Sequence, residues 1–72
     1  MSDFIVTPHM LLDLLKAGSV ELELWGDPGE AKLVGAGFKD EGYALVKVRD
    51  EAGREVIEIV SLSVIKEVRL SE

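Results

Sequence analysis

Between Val56 and Leu70 apolar side chains fall on both faces of an extended chain, and no other feature limits the fold as strongly. In Val56, Ile57, Glu58, Ile59 and Val60 only Glu58 interrupts the apolar run. In Val64, Ile65, Lys66, Glu67, Val68, Arg69 and Leu70 apolar residues again reach both faces. A strand that is apolar on both sides is normally covered on both sides. The whole chain has 72 residues, and a folded chain of that size buries only about 60% of the surface its unfolded form exposes. Small domains compensate with disulfides, a metal or a partner subunit. With no cysteine and a single histidine, association is the remedy left. Val56, Ile57, Val60, Val64, Val68 and Leu70 are therefore the expected subunit interface.

The rest of the chain reads as one helix followed by short strands. Thr7 before Pro8 is an N-cap with proline at the first helical position, where its missing N–H costs nothing. At helical spacing Met10, Leu11, Leu14, Leu15 and Ala17 share one face and His9, Asp13 and Lys16 the other, with Leu12 at the edge of the apolar face. Gly18 suits the C-cap. This predicts a helix over 8–17, too short to be stable undocked. From Ser19 the period changes to two: Val20, Leu22 and Leu24 alternate with Glu21, Glu23 and Trp25.

Gly26, Asp27, Pro28 and Gly29 then turn the chain. A second strand runs from about Glu30 to Phe38, with Gly35 and Gly37 marking a bulge or bend. Lys39 to Gly42 turn again, and Tyr43 to Arg49 form a third strand with Ala44, Val46 and Val48 inward. Asp50, Glu51, Ala52 and Gly53 fit a type I turn closed by a left-handed glycine, which would set Val46 opposite Glu58. A four-residue loop would instead pair Val46 with Ile57, and hydrophobic register favours that loop. Ser61, Leu62 and Ser63 read as a short helical turn or kink. Disorder is expected only in the first few residues and the last two. The expectation is a single mainly β domain, a helix and then, over about 19–70, a strongly bent five-stranded antiparallel sheet or small barrel.

Composition narrows the functions. Eight Lys plus Arg stand against 14 Asp plus Glu, a net charge of −6, which repels DNA, RNA and anionic membrane surfaces. Met1, Ser2 and Asp3 carry no basic start and no apolar run of spanning length exists, so a cytoplasmic location is expected. Asn, Gln and Cys are absent and 31% of residues are charged, a composition that matches the avoidance of heat-labile side chains in thermophiles.

The order of elements, and the run Gly35, Ala36, Gly37, Phe38, Lys39, Asp40, resemble the Sm-like family, which includes bacterial Hfq. The resemblance covers about residues 8–70. It implies a bent five-stranded barrel whose fourth strand pairs with the fifth strand of the next subunit, closing a ring. That family reads RNA with an Asn in the third strand and an Arg-Gly pair after the fourth, or in Hfq with a Tyr-Lys-His run and an early glutamine. Here the third strand has no Asn, and Ile59, Val60, Ser61 and Leu62 stand where the basic signatures belong. No RNA contact carries over, and fold and ligand separate at this point.

No constellation specifies a reaction, so neither catalytic residues nor a cofactor is expected. His9, with Asp13 and Thr7 near, lacks a nucleophile at suitable spacing and reads as an exposed helix residue. The acidic turns Asp27 with Glu30, Asp40 with Glu41 and Asp50 with Glu51 lack calcium-loop spacing and read as solvated turns. Gly35-Ala36-Gly37 precedes no helix that could cradle a phosphate. Tyr43, Lys47, Arg49 and Arg54, with Phe38 or Trp25 in some registers, are the candidate surface for RNA or another ligand, because aromatic stacking and cationic grip hold single strands. Glu51, Glu55 and Glu58 stand close enough in sequence to offset that charge. Trp25 is either a partner anchor or a cover over the barrel end. The leading expectation is a non-enzymatic, homo-oligomeric Sm-like ring that binds a protein partner, the alternative an Hfq-like RNA-binding regulator. An enzyme is a third, remoter class.

Overall fold

The computed structural model describes residues 5–27 and 29–71. The helix α1 (Pro8–Ala17) is followed by β1 (Ser19–Leu24), β2 (Glu30–Gly37), β3 (Tyr43–Arg49), β4 (Glu55–Ser61), a 3-10 turn at Leu62–Val64 and β5 (Ile65–Ser71). Each element starts and stops for a local reason. Thr7 is extended and its Oγ1 accepts the Met10 N–H at 3.2 Å, with Pro8 at the first turn. Gly18 donates its N–H to the Leu14 carbonyl at 3.1 Å and is itself extended, so the chain passes directly into β1.

The five strands form one antiparallel sheet in the order β4-β3-β2-β1-β5. Its inner face carries Val20, Leu22, Leu24, Ala31, Leu33, Ala44, Val46, Val48 and Ile65, all buried, with Leu11 of the helix set among them. Leu14 and Leu15 pack beside that core, whereas Met10 and Ala17 are exposed with His9, Asp13 and Lys16. The apolar stripe that contacts the sheet is thus narrower than the helical spacing predicts. A ten-residue helix touches a curved sheet only along the line of closest approach.

The bend of the sheet comes from β2. Its register with β3 shifts between Leu33 and Gly35, leaving Val34 as the extra residue, and the glycines beyond it accept side chains from β3 on their outer side. A Cβ on Gly35 would lie 3.3 Å from Leu45 Cδ1, and one on Gly37 would collide with the Tyr43 ring. Leu45 and Tyr43 therefore lie across a strand that has no side chains to oppose them.

The structure corrects the expected register of the third turn. Val46 pairs with Glu58, not Ile57, while Val48 faces Val56 and Ala44 faces Val60. Polar groups in the turn outweigh apolar matching. Gly53 has φ +81° and its N–H meets the Asp50 carbonyl at 3.0 Å. The Asp50 Oδ1 accepts the Ala52 and Arg54 N–H groups at 2.9 Å each, and its Oδ2 accepts Arg54 Nε at 3.0 Å. These bonds all lie within the five residues of the turn and hold it without help from strand contacts. Replacing Asp50 by alanine is expected to cost about 1–2 kcal/mol, mostly through the orphaned N–H groups and little through the exposed ion pair. Urea denaturation measures it, and an unchanged midpoint would mean the backbone alone holds the turn.

Two smaller expectations are revised. The break after β4 is a helical turn as expected, displaced to Leu62–Val64, and Ser71 belongs to β5, paired with Ser19, instead of lying in a loose tail. The expected disorder of the first few residues and of Glu72 lies outside the described residues, as does Pro28 of the first turn.

Candidate functional site

The features that set this fold apart are its two open sheet edges. Among the described residues β4 pairs only with β3 and β5 only with β1, so the sheet bends without closing on itself. The hydrogen-bond phase of β4 follows from the turn. Asp50 donates its N–H to the Arg54 carbonyl at 2.9 Å, which makes 50 and 54 a bonded pair. Bonded pairs alternate in an antiparallel ladder. Val56, Glu58 and Val60 therefore bond to β3, and Glu55, Ile57, Ile59 and Ser61 turn their N–H and C=O groups toward the open edge.

Natural edge strands are protected by prolines, bulges, lysines or short length. β4 has seven residues, and proline, lysine and a register shift are all absent from it. It also carries exposed apolar side chains on its outer face, Ile57 at 55% and Ile59 at 69% exposure. β5 is better guarded. A register shift between Glu23 and Leu24 leaves Lys66 as its extra residue, and Lys66, Glu67 and Arg69 are all exposed.

The expected interface residues divide into half-buried and exposed sets. Val56, Val60, Val64 and Val68 are half-buried and packed on the core, so the chain itself already covers part of each. Ile57 and Leu70 are exposed, Leu70 at 44%. Ile59, which sequence reasoning left outside the interface, is the most exposed of the three. The signal that could have found it is its position two residues from Ile57, which puts both on one face.

The proposed ligand surface is only partly assembled. Tyr43, Lys47 and Arg49 alternate along the outer face of β3, and Lys47 lies directly across from Lys32 of β2. A groove of about 400 Å³ runs there between Glu21, Glu30, Lys32, Lys47, Arg49 and Glu55. Its cations and carboxylates are interleaved. Arg49 Nη2 lies 3.9 Å from Glu55, and Arg54 is held at 3.0 Å by Asp50 in the turn beyond. Trp25 is elsewhere: the residue is 62% exposed and its ring lies beneath Lys66, whose Nζ is 4.8 Å from the ring centroid and 3.2 Å from Glu23.

His9 packs its ring against Phe38 with centroids 4.7 Å apart, and the nearby Thr7 hydroxyl is occupied as the helix cap. Among the described residues no three His, Asp or Glu side chains gather to hold a metal ion, and no helix is long and apolar enough to cross a membrane.

No family model matches the chain. No curated protein and no solved structure matches it either.

Proposed function

We propose that this chain is a non-enzymatic assembly module of the cytoplasm, an Sm-like unit whose copies join β4 to β5 around a ring that binds a protein partner. The observation that carries the reading is the open β4 edge, free of proline, lysine and bulge, which among the described residues offers unpaired backbone groups beside the exposed Ile57 and Ile59. An edge of that kind is a template for another strand. Pairing β4 with β5 of a second copy uses both open edges at once and leaves none in a closed ring, as expected of a heterologous contact that closes. The resemblance of the element order to the Sm-like family points the same way.

Light scattering at micromolar concentration tests it, with Ile57→Pro as the companion. The Ile57 N–H faces the open edge, so proline removes no bond to β3 but blocks an incoming strand. Wild type should be a single oligomer and Ile57→Pro a folded monomer. A monodisperse wild-type monomer would remove the ring.

The adjacency of Lys32 and Lys47, with Tyr43 and Arg49 on the same face, favours RNA binding as the second reading. Against it stand Glu21, Glu30 and Glu55 in the same groove. An adenine-rich or uridine-rich oligonucleotide titrated across a salt series decides it, because phosphate contacts weaken steeply with salt. No binding at low salt ends that reading.

A further inference from the structure

The register that the third turn imposes leaves a carboxylate in an unexpected place. Residues paired across two strands share a face, so Glu58, opposite the fully buried Val46, stands on the inner face of β4 between Val56 and Val60. It is exposed, while Val56 and Val60 on the same face of the same strand are half-buried. Its inner-face neighbours on β3 are Ala44, Val46 and Val48, which offer no cation.

The charged groups that share its groove are Asp27 from the first turn, Asp50 and Glu51 from the third, and Arg49 at the end of β3. Arg49 is engaged elsewhere, with Nη1 donating to the Gly53 carbonyl at 2.9 Å and Nη2 near Glu55. Glu58 takes part in none of the ion pairs among the described residues. Its groove holds carboxylates, hydrocarbon and an Arg49 that is bonded to other groups.

We infer that Glu58 is a proton-operated gate on edge pairing, an inference that rests on the β4-to-β5 assembly proposed above. A second copy's β5 laid against β4 brings an inner row of Ile65, Val68 and Leu70, whose partners across β1 are the buried Leu24, Leu22 and Val20. That row has no cation. The cations of β5 lie on its outer side and are engaged there, Lys66 with Glu23 and Arg69 with Glu30 and Glu67.

Pairing therefore takes water from Glu58 and returns no counter-charge, which penalises the ionised form and spares the protonated one. The assembled state holds the proton more tightly than the free subunit. Assembly then strengthens as pH falls and weakens as pH rises, by up to about tenfold in dissociation constant per pH unit for one proton taken up per interface. An inward charge on an edge strand is also how sheets avoid unwanted pairing. Here the same device is titratable.

The test is the dissociation constant of the full chain by sedimentation velocity between about pH 7.5 and about pH 5.5, for wild type, Glu58→Gln and Glu51→Gln. Glu58→Gln should assemble about tenfold or more tightly than wild type at the upper pH and lose most of the slope. Glu51→Gln removes a carboxylate from the same groove but not from the inner row, and should keep the slope. Equal slopes in wild type and Glu58→Gln would mean that general loss of negative charge drives the effect, and would overturn the gate while leaving assembly standing. Wild type and Glu58→Gln both monomeric at every pH would overturn the ring, and the gate with it.

Discussion

Replacing Leu11 with alanine is expected to destabilise the fold by about 3 kcal/mol, within the range for a leucine removed from a packed core. Leu11 is completely buried and is the one residue of α1 that is. Its side chain joins the helix to the inner faces of β1, β2 and β3, and a helix this short has little stability of its own. For a domain of this size the loss corresponds to a fall in Tm of roughly 15 °C. Thermal unfolding followed by circular dichroism measures it, at one fixed protein concentration because association itself raises Tm. Met10→Ala, on the same predicted stripe but 41% exposed, should move the midpoint little. If Leu11→Ala melted within a degree or two of wild type, the helix would not be part of the core.

Gly42→Ala is expected to be nearly as damaging, by about 3 kcal/mol, for two separable reasons. Gly42 has φ +96°, a conformation that costs a residue with a Cβ about 1–2 kcal/mol. The Cβ would also lie 2.9 Å from both Leu62 Cδ1 and Pro8 Cγ, and overpacking of that kind typically adds about 1–3 kcal/mol. Gly53→Ala is the control. It shares the positive φ, at +81°, but its Cβ would meet nothing within 4 Å, so only the first cost of about 1 kcal/mol applies. The difference between the variants in denaturant midpoint isolates the contact that ties the start of α1 to the 3-10 turn. Equal losses would show that this junction yields freely.

Glu58 shows where local and long-range preferences part. The apolar pattern alone pairs Val46 with Ile57, yet Asp50 and Gly53 satisfy backbone groups within the turn, and the register compatible with those bonds pairs Val46 with Glu58. A one-residue change of register reverses every side chain of a strand. It therefore sends Ile57 and Ile59 outward, keeps Val56 and Val60 on the core, and places a charge on the inner face.

The basic row on β3 was legible from alternation along one strand. Its neighbour Lys32 was not, because that contact depends on how β2 and β3 align past the shift at Val34. Trp25 was left between two roles by its sequence, and its exposure beneath Lys66 depends on β5 lying beside β1. Strands adjacent in space but distant in sequence leave no periodic trace of each other.

By itself the sequence determined where the chain is helical and where it is extended. Thr7-Pro8 and Gly18 bound the helix, alternation marks β1 and β3, and paired glycines mark the bend in β2. These signals act within a few residues, through φ preferences, capping bonds and side-chain period. Only the tertiary structure decided the strand order, the register of β4 against β3, and which apolar residues of the last strands stay in solvent. Those depend on which backbone groups find partners across the sheet, and for the outer edges of β4 and β5 the described residues of a single chain supply none.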